Sequence, residues 1–99
     1  MGISVQIRTF TGAVEATCTH PAIDGLCERA RHLDLPMLGG VDPHDDTVFN
    51  RSQMRLVIPE LHRLAEETSD GEAQAAQEII ELTGRIEREP HRYLLFNGD

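Results

Sequence analysis

Lysine and tryptophan are both missing from this chain, and every basic side chain is an arginine: Arg8, Arg29, Arg31, Arg51, Arg55, Arg63, Arg85, Arg88 and Arg92. Schiff-base catalysis, pyridoxal phosphate attachment and a phosphate-cradling P-loop all require a compact, tunable ammonium, so composition alone excludes those three classes. Aromatic residues are limited to Phe10, Phe49, Tyr93 and Phe96. The core must therefore be aliphatic, and recognition of nucleic acid by stacking bases on aromatic platforms has little to work with. No apolar run approaches the ~20 residues of a membrane-spanning helix, and the N-terminus lacks the basic-then-apolar order of an export signal. A cytoplasmic location with no membrane association is the expectation. Only Cys18 and Cys27 are available for disulfide formation, and without an export signal both read as buried thiols.

What the chain does have is enough apolar material for one core. Of its 99 residues, 39% are hydrophobic and 26% charged, with a formal charge of -8. That size fits a single domain spanning residues 1–99. Ile3, Val5 and Ile7 alternate with Ser4, Gln6 and Arg8, and Val14, Ala16 and Cys18 alternate with Glu15 and Thr17. This period predicts a β-hairpin over 3–10 and 13–18, with Gly12 supplying the positive φ of the turn. A third strand is predicted at Tyr93–Phe96.

Between the strands the period becomes helical. Pro21 marks one helix start, after which Ile23, Leu26, Cys27, Ala30 and Leu33 form the inward stripe. Asn50 with Gln53 is an N-capping signal for a second helix, whose stripe is Met54, Val57, Ile58, Leu61, Leu64 and Ala65. Pro59 interrupts that stripe, so a kink at 55–59 or two abutting helices are expected. Ser69-Asp70-Gly71 predicts a turn. A last helix over about 71–89 turns Ala76, Ile79, Ile80, Thr83 and Ile86 inward, has Glu81 and Arg85 at pairing distance, and ends before Pro90. The class is α+β: a small antiparallel sheet made of the hairpin and a C-terminal strand, with three or four helices packed on one face.

Two acidic segments carry the functional expectation. Asp42-Pro43-His44-Asp45-Asp46 gathers three carboxylates and a histidine, yet an EF-hand register from Asp42 lacks the glycine and the final glutamate. The choice there lies between a solvated loop whose Asp side chains cap turns and a looser divalent-cation site through Asp42, His44 and Asp45. The series Cys18, His20, Cys27 and His32 is no zinc site, since Cys27 lies on a buried stripe and His32 points away from it. No serine or cysteine has the context of an activated nucleophile, so no catalytic residue and no cofactor are assigned. From Glu60 to Glu81 seven acids face only Arg63, which reads either as a solvated helical face or as a surface that steers a basic partner. The same charge disfavours nucleic acid. Protonation of all five histidines would lower the formal charge from -8 to -3, weakening such a surface in mild acid.

The segment Asp42-Pro43-His44-Asp45-Asp46-Thr47-Val48-Phe49-Asn50 and the terminal Tyr93-Leu94-Leu95-Phe96-Asn97-Gly98-Asp99 resemble those of small acidic proteins from high-GC bacteria. The resemblance implies no activity and lends no catalytic residue. In size, acidity and layout the chain also resembles the immunity proteins that neutralise bacterial toxins, which implies a non-enzymatic, inhibitor-type role toward a basic protein. The expected contact residues are Asp42, His44, Asp45, Asp46, Glu60, Glu66, Glu67, Asp70, Glu72 and Glu78. Two other readings are a small metal- or ligand-binding domain centred on the Asp42–Asp46 loop, and a self-associating regulatory subunit whose sheet edge is completed in a homodimer.

Overall fold

The alternating N-terminus forms the hairpin its period predicts: strand β1 (Ser4–Thr9) pairs antiparallel with β2 (Val14–Cys18). Gly12 takes φ +95° at the turn, where a side chain would be strained. The computed structural model describes residues 2–98 of the chain. After the hairpin come helix α1 (Ile23–His32), strand β3 (Asp46–Phe49), helices α2 (Met54–Glu67) and α3 (Asp70–Arg88), and strand β4 (Arg92–Asn97). Short 3₁₀ turns at Leu38–Gly40 and Arg51–Gln53 link them. The sheet order is β2-β1-β4-β3, with every pairing antiparallel.

The sheet thus has four strands where three were expected. The fourth, β3, pairs with the outer edge of β4, and Phe49 meets Phe96 edge-to-face at 5.8 Å between ring centroids. Its apolar signal is only Val48 and Phe49, beside an Asp-rich turn, which is too short for a period to register.

The helical stripes bury the residues the 3.6-residue period selects. Ile23, Leu26, Cys27 and Ala30 of α1, Met54, Val57, Leu61 and Leu64 of α2, and Ala76, Ile79, Thr83 and Ile86 of α3 are all buried. Leu33, Ile58, Ala65 and Ile80 pack at the rim of the same core. The helices lie on one face of the sheet, against Val5, Ile7, Leu94 and Phe96. Asn50 accepts from Gln53 N at 2.9 Å while Gln53 Oε1 accepts from Asn50 N at 2.8 Å, a reciprocal capping box before α2.

Pro59 does not divide α2, which runs unbroken from Met54 to Glu67. Pro59 and Arg55 are both exposed, so the carbonyl that loses its donor lies on the solvent side, where water can replace the bond. Arg85 does not pair with Glu81 among the described residues; it reaches across to Glu15, 4.0 Å from Oε1.

Candidate protein-interaction surface

At the end of the sheet where β1 begins and β2 and β4 finish, the Asp42–Asp46 turn is tied down by its own backbone. Asp42 Oδ1 accepts from His44 N at 2.8 Å, and Asp42 N donates to Thr47 Oγ1 at 3.0 Å. Asp45 Oδ1 accepts from Asp46 N at 2.8 Å, and Asp45 O accepts from Gly98 N at 3.1 Å. A Cβ at residue 98 would overlap the backbone of both Asp42 and Asp45, so glycine is required where the chain passes beneath the turn. The Asp42–Asp46 turn and the end of β4 are therefore one structural unit. Asp46 belongs to β3 rather than to the loop.

These bonds are those of a capped turn rather than of a cation site. Asp42 Oδ1 and Asp45 Oδ1 each accept a nearby backbone amide, the bonding of Asp residues that cap turns. Among the described residues no group of three His, Cys, Asp or Glu side chains is placed to hold a metal ion, so the geometry gives the divalent-cation reading no support.

The acids of the helical pair divide into three kinds. Glu60, expected at the surface, is buried with 7% exposure. Its Oε2 accepts from Met37 N at 3.0 Å and its Oε1 from Leu38 N at 2.8 Å. That corrects its assignment as a contact residue: it anchors the 3₁₀ turn at Leu38–Gly40, whose first amides have no helical acceptor. The sequence hint was its position, three residues after Val57 and next to Leu61 on the apolar stripe.

Glu67, Glu72 and Glu78 are engaged within the fold. Glu67 pairs with Arg63 on the same helix, Glu72 takes Arg29 from α1 at 2.7 Å, and Glu78 accepts from Cys18 Sγ at 3.4 Å. The Arg29 pairing could not be read from a linear charge count, because 43 residues separate the partners. Glu66, Asp70 and Glu81 remain exposed with no intramolecular ion pair among the described residues. Asp70 opens α3 at φ +54°, a conformation Asp tolerates better than most residues.

Topology brings Glu66 and Asp70 of this exposed set toward one end. A Cβ on Gly71 would lie 3.3 Å from Ala22, just past the end of β2. The α2–α3 turn, with Glu66 and Asp70, therefore sits at the same end of the sheet as Asp42, His44, Asp45 and Asp46. Against protein-family models the chain has no match, and no curated protein or solved structure matches it either.

The thiols are placed for packing. Cys27 is pushed up to about 12, first by burial and then by the nearby Asp24 carboxylate. Burial likewise raises Cys18, with Glu78 adding to the effect. Neither is ionised as a nucleophile near neutral pH, and the two are not joined in a disulfide. His20 acts locally: its Nδ1 accepts from Ala22 N at 3.0 Å, capping the entry to α1, while Nε2 lies 3.3 Å from Gln74 Oε1. No helix among the described residues is long and apolar enough to cross a membrane.

Proposed function

We propose that this chain is a non-enzymatic protein-binding module of the immunity or inhibitor type, presenting its acidic end to a basic protein partner. The observation that supports it is the convergence of exposed Asp42, Asp45, Asp46, Glu66 and Asp70 at one end of the sheet. Carboxylates held on turns that are already hydrogen-bonded lose little entropy on contact, which favours recognition of a fixed pattern of cations. Elsewhere Glu60 is buried and Glu15, Glu67, Glu72 and Glu89 are paired with arginines, while Glu28, Asp34, Glu81 and Glu87 are exposed singly, so this end adds a local cluster to a chain at -8.

Affinity capture from the native host, followed by a salt titration of the captured complex, tests the reading. A basic partner should be retained, and its affinity should fall at least ~10-fold as salt rises from ~0.05 to ~0.5 M, since exposed charge pairs are screened over that range. An affinity indifferent to salt would reject the electrostatic surface.

A further inference from the structure

Helices cover one face of the sheet; the opposite face is open and, beside the polar Ser4, Gln6, Thr17, Asp46 and Asn97, carries a cluster of large apolar side chains. Side chains alternate across a strand, so the register turns Tyr93, Leu95, Val48 and Arg8 away from the core residues Val5, Ile7, Leu94 and Phe96. Leu95 is only 5% exposed yet stands outside the helix-side core, shielded by its cross-strand neighbours Gln6 and Val48. Around it Phe10 is 76% exposed, Val48 51% and Val14 50%. Phe10, Val48, Tyr93, Leu95 and Arg8 share a shallow depression of about 300 Å³. An antiparallel sheet with one face in water ordinarily carries polar residues there.

We propose that this open face is the contact of a two-fold homodimer in which two copies stack sheet against sheet with their strands reversed. The edges are poor alternatives. β3 is only four residues long and begins at Asp46, while β2 carries a register shift opposite Ile7 and Arg8; short, charged or bulged edges resist strand addition. Charge distribution selects a second copy and sets its direction. On the open face itself Arg8 lies toward the hairpin end and Asp46 toward the other, whereas Arg92 is turned to the helix side and already paired with Glu15 and Glu89. A dyad across the strands brings each Arg8 toward the partner's Asp46 end, whereas a dyad along the strands would set Asp46 toward Asp46. Arg8 forms no ion pair within its own chain among the described residues; its Nε donates to Gln6 Oε1 at 2.8 Å.

Size sets the strength of the contact. Strands ~4.8 Å apart and ~3.3 Å per residue give a face of roughly 20 by 20 Å. Each copy then contributes roughly 400–600 Å², at the low end of specific interfaces, so the dimer forms only as concentration rises.

Sedimentation equilibrium of the full chain from ~10 µM to ~1 mM, the range suited to a contact of that size, should show a monomer passing to a dimer. Val48→Asp changes a half-exposed side chain outside the helix-side core. It buries an unpaired carboxylate in the contact, and association should weaken at least ~10-fold. Leu56→Asp, the matched change on the exposed side of α2, should leave association unchanged. Asp46→Arg separates direction from net charge: lower net repulsion alone would tighten association, but the reversed stack predicts loosening, restored by adding Arg8→Asp. A monomer throughout, equal association by the Val48→Asp variant, or tightening by Asp46→Arg would each overturn the proposal. None of these measurements involves the basic partner, so the two readings fail separately.

Discussion

Cys27 shows how one buried side chain couples packing to pH. Its folded-state pKa, about 12, lies above the ordinary thiol value of 9.0 because burial penalises the thiolate. A group raised in this way contributes stability that is complete below the unfolded pKa and is lost as pH climbs through the folded one. Between about pH 9 and 12 the protein should lose stability, and Cys27→Ala should flatten that part of the curve, which thermal melts across the alkaline range can check. A Cys27→Ala variant with the same alkaline slope as the parent would remove the thiol from the explanation.

Glu60 presents the other residue-scale case. Its sequence neighbourhood is acidic, so a linear reading takes it for surface charge, but its place on the inward stripe of α2 carries it beneath the Leu38–Gly40 turn. Glu60→Gln keeps the shape and surrenders one charged acceptor. It should cost about 1–3 kcal/mol, and for a domain of this size each ~1 kcal/mol lowers Tm by about 4–8 °C. An unchanged melting temperature would show that the two amides find other acceptors. Glu60 reads with the surface acids although it falls three residues after Val57 and beside Leu61, and its partners, over twenty residues earlier in the chain, were not legible.

Among the elements, legibility followed length. The three helices repeat their apolar spacing over several turns, and the structure buries those stripes nearly residue for residue. The hairpin alternates on both strands and is found where its period placed it. β3 was missed because four residues cannot display a period, and its stability comes from pairing with β4 and from the Phe49–Phe96 contact. In α2, proline propensity argued for a kink or for two abutting helices, and with Met54, Val57, Leu61 and Leu64 buried on one stripe the second of these does not occur: the helix is continuous. Since Pro59 is exposed, Pro59→Ala should restore the missing backbone bond without disturbing the core. The variant should gain roughly 1–3 kcal/mol by denaturant unfolding. A loss of stability would mean that the proline ring relieves a constraint at the Arg55 carbonyl.

For the whole molecule, composition announced an acidic protein, while only the fold reveals which acids are available to a partner. The run from Glu60 to Glu81 loses Glu60 to the core and has Glu72 compensated by Arg29 from a distant helix. Pairing of β3 with β4 instead carries the Asp42–Asp46 turn to the end of the sheet at which Glu66 and Asp70 also lie, across its width, a placement that depends on β3 and so stayed hidden with it. Charge-matched reversals at the two ends of the molecule test this most directly. Glu66→Arg should weaken binding of the captured basic partner at least ~10-fold, because a like-charge contact at an interface is costly. Glu87→Arg near the hairpin end, measured by the same calorimetric titration, should change it less than about 2-fold, as expected of a distant, screened charge. Equal losses from both ends would mean that net charge alone governs binding, and would contradict a localised acidic surface.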